Sequence, residues 1–176
     1  EKNIKRNVIT NCFLMNYGLS NENREAFLYY FKSGSAIASI ENLIDHPNAR
    51  KEKCLFKTLD TVFSDLALER LDLVKCDVEG SELFVLQGAK ETIKKCHPIF
   101  LIEICEEWCT KCNYRSEDII HFLINLGYDL FSTSDGSILE RRKKIRRVDQ
   151  GKYNYFFFHK EKHLDLITQL CPSDRK

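Results

Sequence analysis

Apolar positions along the chain change spacing several times, and each change marks an element. VITNCFLMNYGLS, Val8 to Ser20, is an apolar run rich in β-formers, and AFLYYF, Ala26 to Phe31, follows it across a short polar turn. Two strands are predicted. Residues 32–53 are rich in Ser, Asn and Gly with mixed periodicity, and read as a loop with at most one helical turn. In FKTLDTVFSDL, Phe56 to Leu66, the residues Leu59, Val62, Phe63 and Leu66 follow the i, i+3, i+4, i+7 spacing of one helix face. LDLVKCDV, Leu71 to Val78, reads as a buried strand. SELFVLQGAKETIKKC then places Leu83, Leu86 and Ile93 on one helical face before Pro98 stops it.

PIFLIEI, Pro98 to Ile104, is the next strand. SEDIIHFLINLGYDLF starts with Ser116 as a helix N-cap, reaches Gly127 where a helix end favours left-handed backbone, and passes into a strand at Tyr128. YNYFFFH, Tyr153 to His159, supplies a last, aromatic-rich strand. From Leu55 onward helices alternate with apolar strands, which predicts an α/β fold. Its sheet is mostly parallel and covered on both faces, with an antiparallel last strand. No repeat or linker divides the chain, so residues 1–162 read as one domain and 163–176 as a tail.

In such sheets the ligand crevice lies outside the carboxyl ends of the strands. Asp77 follows one strand and Glu103 ends the next, so both are expected at one crevice. Glu79 and Glu82 line the start of the following helix, whose N-terminal dipole favours carboxylates.

Composition narrows the picture in three ways. The 176 residues are 43% hydrophobic and 30% charged, which suits a domain with a real core, and the net charge of +1 gives no reason to expect a nucleic-acid partner. No run approaches the roughly 20 apolar residues of a membrane span. Eight cysteines in a chain of this size, several of them inside apolar strand patterns, read as small buried hydrophobes in a reducing, cytoplasmic setting rather than as a disulfide framework. The opening EKNIKRN, without Met, reads as the end of a helix and hence as the start of a fragment.

The stretch LDLVKCDVEGSELFVLQGAKETIKKCHPIFLIEI, Leu71 to Ile104, resembles the FkbM family of S-adenosylmethionine-dependent methyltransferases. That family shares a Lys-x-Asp-Val-Glu-Gly-x-Glu core followed by Leu-x-Gly-Ala and, a strand later, a terminal Glu. The matching positions are Lys75, Asp77, Val78, Glu79, Gly80 and Glu82, then Leu86, Gly88, Ala89 and Glu103. The likeness extends over about three quarters of the chain, through NYGLSNENREAFLYY, SGSAIAS and KTLDTVF upstream and LGYDLF downstream. It implies a Rossmann-like class I three-layer sandwich and transfer of a methyl group from S-adenosylmethionine to an oxygen of a small molecule or sugar. It also implies that Tyr17, Gly18, Leu19 and Ser20 lie near the adenine. The family's glycine-rich loop and ribose-binding acid are expected upstream of Glu1, so the fold is expected to be N-terminally truncated.

A sulfonium methyl is already electrophilic, so the protein has to align an acceptor atom and manage one proton. Asp77 is the first candidate base and Glu103 the second, with Lys75 orienting the acceptor or tuning charge. Glu79, Glu82 and Trp108 are candidates for the acceptor pocket. Asp77 also reads as a helix-capping acid, and Asp77, Glu79 and Glu103 as a hard-metal set, although nothing in the sequence fixes a metal. Gly80 and Gly88 read as structural: a left-handed turn and a close approach to the sheet.

Three other readings stand beside this one. Cys105, Cys109 and Cys112 have a C-x3-C-x2-C spacing that could hold an iron–sulfur cluster, although too few residues follow for the barrel such enzymes build. With His97 or His121 the same thiols could hold zinc. ERRKKIRR, Glu140 to Arg147, carries six positive charges in eight residues and reads as a solvated hairpin, or as the binding surface of a catalytically inactive domain.

Overall fold

The computed structural model describes residues 1–31, 34–43, 47–133, 139–142 and 154–171, and within these the chain forms two sheets and seven helices. After α1 (Lys2–Arg6), strands β1 (Gly18–Leu19), β2 (Arg24–Phe31), β3 (Gly34–Ser39) and β4 (Arg50–Lys57) make a mixed sheet of order β1-β4-β2-β3. The second sheet has the order β5-β6-β9-β7-β8. Its strands are β5 (Leu73–Cys76), β6 (Ile99–Glu103), β7 (Tyr128–Thr133), β8 (Leu139–Arg142) and β9 (Asn154–His159). β5 and β6 run parallel, and every other pairing in this sheet is antiparallel.

One face of the second sheet is packed by helices. These are α3 (Glu82–Gln87), α4 (Lys90–Cys96), α5 (Glu106–Lys111) and α6 (Ser116–Asn125). Leu86, Ile93, Cys109, Ile119 and Leu123 from these helices close on Phe100, Ile102, Leu130 and Phe157 of the strands, all nearly inaccessible to water. Among the described residues, the other face meets α7 (Leu164–Leu170), through Ile167 against Phe131 and Phe158. Leu73, on the edge strand β5, is 56% exposed. Where one mostly parallel sheet is expected, the described residues form two, and the larger has one parallel pairing, β5 with β6, and more helices on one face than on the other.

Other differences have local causes. Val8 to Met15 form no strand: Val8 and Phe13 are over 80% exposed, because an apolar run without a pairing partner has no ladder to join. The expected loop at 32–53 holds β3 and β4 instead. β4, RKEKCLFK, is too polar to show alternation, yet it pairs antiparallel with β2 from Arg24↔Phe56 to Tyr30↔Arg50. The single helix expected from Ser81 to Cys96 is two, broken at Gly88. The expected tail contains α7, and a short helix, α5, follows β6. Residues 143–147 of the basic run lie outside the described residues; Glu140 to Arg142 belong to β8.

The break at Gly88 fixes how the first sheet meets the second. A Cβ there would overlap the Ser20 carbonyl, so β1 runs its backbone directly against the end of α3. Helix α2 (Leu59–Asp65), capped by the Thr58 hydroxyl accepting from Thr61 N, adds a second tie. Asp60 N donates to Gly88 O at 3.0 Å, and its carboxylate accepts from Glu91 N and Thr92 N at 3.1 and 2.7 Å, capping α4 from another element.

Candidate active site

The parallel register places Cys76 beside Ile102, so the next residues, Asp77 and Glu103, emerge side by side at the carboxyl ends of their strands. Their carboxyl groups come within 4.8 Å of each other. Lys75 Nζ lies 2.5 Å from Asp77 Oδ2 on the outer side. Glu79 joins them: the ligand oxygens of Asp77, Glu79 and Glu103 all fall within 4.8 Å of one another. Four of the residues singled out in the sequence thus meet in one cluster.

Proximity sets the charge state. The Lys75 ammonium, by hydrogen bond, is the largest influence on Asp77 and holds its carboxyl below the usual range. Partial burial, then the hydrogen bond and charge of Asp77, push Glu103 up to about 7. Glu79 is also raised, by burial and then by Asp77 and Glu82, against a hydrogen bond from Trp108. One carboxylate is held ionised while its neighbour holds a proton near neutrality, the arrangement expected of two acids that cannot both ionise freely. A divalent cation entering this group would have to displace the Lys75 ammonium from Asp77 and the proton from Glu103.

The turn behind the cluster is tightly specified. Glu79 and Gly80 both take left-handed backbone, with φ of 52° and 88°. A Cβ on Gly80 would press on the Trp108 backbone carbonyl and the Cys112 sulfur at about 3 Å, so glycine is required on two counts. From the first sheet, Ser39 Oγ donates to Glu79 O at 2.7 Å. Ser39 was not singled out in the sequence, and nothing in its SGSAIAS context marks it, since its partner lies 40 residues away.

The remaining sequence-derived candidates lie around this cluster and on the first sheet. Glu82 is 2% exposed and lies under the turn rather than at its mouth. Trp108, on α5, is half-buried beside Glu79, and its indole opposes the rise of that carboxyl. Among Tyr17, Gly18, Leu19 and Ser20, the last three are committed to packing: Gly18 against the Phe56 ring, Leu19 against the main core and Ser20 against Gly88. Tyr17 is half-buried, with Lys57 Nζ 5.4 Å from its ring centroid.

The thiols form no comparable centre. Cys109 and Cys112 are buried in the helix-packed side of the molecule, where burial pushes them up to about 12 and about 11. Among the described residues, the carboxylate trio is the one group of three potential ligands within 4.8 Å. His121 is exposed on α6, and the His97 ring packs against that of His159, tilted by 50° with 4.1 Å between ring centroids.

Comparison with known proteins agrees with the motif. The family model for the methyltransferase FkbM domain matches residues 2–130. The chain therefore belongs to the FkbM methyltransferase family. Among solved structures it is similar to a methyltransferase FkbM from Methylobacillus flagellatus KT, with 16% identity and a TM-score of 0.47, covering 89% of this chain and 32% of that one. The chain thus spans about a third of that protein's length. No curated protein matches it. No helix among the described residues is long and apolar enough to cross a membrane.

Proposed function

We propose that this chain carries the acceptor side of an S-adenosylmethionine-dependent methyltransferase that methylates a hydroxyl group on a small molecule or sugar. The observation that carries the reading is the Asp77–Glu103 pair, brought within 4.8 Å at the ends of parallel strands inside the family-matched segment. When bound, S-adenosylmethionine supplies an electrophilic methyl group. The residues present fit it in part: the Tyr17 ring is available to an adenine, whereas Gly18 to Ser20 are spent on packing. The chain contains no G-x-G spacing to approach the rest of the cofactor.

On this reading the protein's chemical work is proton handling. As the acceptor oxygen bonds the methyl carbon, the carbon–sulfur bond would break with its electron pair left on sulfur as a neutral thioether, and the acceptor's O–H proton would pass to the carboxylate pair. Glu103, titrating near 7, is better matched to accept it than Asp77, which Lys75 keeps acidic. Asp77 then orients the acceptor hydroxyl and shares the arriving proton with Glu103. Trp108, beside Glu79, offers an apolar face to the carboxylates.

The test is methyl incorporation from labelled S-adenosylmethionine into a panel of polyols by the natural polypeptide. Hydroxyl methylation that falls about 100-fold or more in Asp77→Asn supports the reading. Unchanged turnover in that variant, or methylation of nitrogen or sulfur acceptors only, contradicts it.

A further inference from the structure

Glu82 is the most deeply buried acid described, and neither packing nor proton transfer accounts for it. A carboxylate at 2% exposure persists only when its oxygens are satisfied. Here Oε1 accepts from Val78 N at 3.1 Å and Gly80 N at 3.2 Å, and Oε2 accepts from the Tyr114 hydroxyl at 3.2 Å. The two backbone donors flank Glu79, so a single oxygen gathers both sides of the turn. With Ser39 holding the Glu79 carbonyl from the opposite side, Glu79 is clamped in a backbone region that side chains rarely adopt.

Tyr114 is placed to serve Glu82. It enters from the segment between α5 and α6, with its N bonded to Cys109 O at 3.1 Å and its ring edge-on to Phe84 at 5.7 Å. Burial drives its hydroxyl well above the ordinary phenol range, so it remains a donor. The groups facing Glu82 are thus the two backbone amides, the Tyr114 hydroxyl, the Glu79 carboxyl and the buried thiols of Cys76, Cys109 and Cys112.

We infer that Glu82, held by Tyr114, is the positioning residue of this site: it fixes the Val78–Gly80 turn so that the carboxylates of Asp77 and Glu79 converge on Glu103. The inference deepens the methyl-transfer reading and rests on it for its catalytic meaning. Glu82 itself touches neither acceptor nor cofactor; it acts through the turn. Without it, the left-handed pair at 79 and 80 loses its reason to persist and the cluster opens.

The experiment reads the geometry without any methyl donor, so it fails or succeeds independently of the proposed activity. Carbon-13 NMR of carboxyl-labelled chain follows the Glu103 titration in the native protein, in Glu82→Gln and in Tyr114→Phe, with a thermal melt as a check on folding. The charges acting on Glu103 come from Asp77, Glu79 and Lys75, so a shift in these variants reports movement of those groups. The expected result is a fall in the Glu103 titration point by about one pH unit in both variants, with cooperative melting retained. Where Glu82→Gln does not fold, Tyr114→Phe decides, since its ring packing is unchanged. A Glu103 titration that stays put in Tyr114→Phe while the melting temperature drops makes the pair merely structural and overturns the inference. In the natural polypeptide, Tyr114→Phe lowers kcat with little change in KM; a change in KM alone contradicts positioning.

Discussion

Asp77 and Glu103 meet within 4.8 Å at the carboxyl ends of two parallel strands, one held ionised by Lys75 and the other protonated up to about pH 7. The asymmetry arises from placement. Asp77 has an ammonium beside it, whereas Glu103 has partial burial and two carboxylates.

Lys75 is the part of that asymmetry most easily removed. Lys75→Met leaves Asp77 without its counter-charge, so its titration rises by about one to two pH units as the pair competes for one proton. Carbon-13 NMR of labelled aspartate measures this directly. An unmoved Asp77 titration would show that the ion pair does not set the charge state.

Glu103 also makes a stability prediction whose sign can be worked out. Its folded titration lies above the unfolded value of about 4.3, so the folded state binds the extra proton between the two. The contribution of Glu103 to stability is present below pH 4.3 and is lost as pH rises through 7. Urea melts of Glu103→Gln are therefore expected to show greater stability than native at pH 8 and no gain at pH 4. A gain that does not depend on pH would contradict the assignment.

The β9–α7 turn shows the opposite sign. His163 Nδ1 accepts from His159 N at 2.9 Å, and His159 Nδ1 accepts from Lys162 N at 3.3 Å, so protonating either ring at that nitrogen breaks a backbone bond. Burial is the first cause lowering both, reinforced by His97, Lys160 and Lys162 around His159 and opposed there by Glu161. Their stabilising contribution is present above about pH 6.5 and lost as pH falls below it. Native protein is expected to lose stability between pH 7 and 5.5, and a double His159→Gln, His163→Gln variant to lose less over that interval.

Gly88→Ala tests how the two sheets meet. The added methyl meets the Ser20 backbone, which cannot rotate away as a side chain can, and the φ of −77° makes the cost purely steric. Destabilisation by about 2 kcal/mol is expected from urea melts. A change below about 0.5 kcal/mol would mean that β1 does not sit against α3.

Much of the site was legible because its determinants are local. Lys75, Asp77, Glu79 and Gly80 fall within six residues, and one parallel register brings Glu103 to them. The roles of Ser39, Asp60 and Tyr114 were not legible, since each works through a partner 31 to 40 residues away. Glu82 was recognised as significant but placed at the crevice mouth, because helix-start position does not distinguish an outward carboxylate from one folded under the turn. In the fold, β5, β6, β9 and α6 followed from apolar spacing. β4 was missed because it is exposed along most of its length and holds its place by backbone pairing with β2.

The measurement that bears most directly on the account is the pH dependence of single-turnover methyl transfer by the natural polypeptide, native against Glu103→Gln. If the Asp77–Glu103 pair receives the acceptor's proton, the native rate rises with pH through about 7 and then levels. Glu103→Gln loses that rise and runs about 100-fold slower or worse, with acceptor binding little changed. A Glu103→Gln protein that keeps both the native rate and the rise near pH 7 would contradict the account.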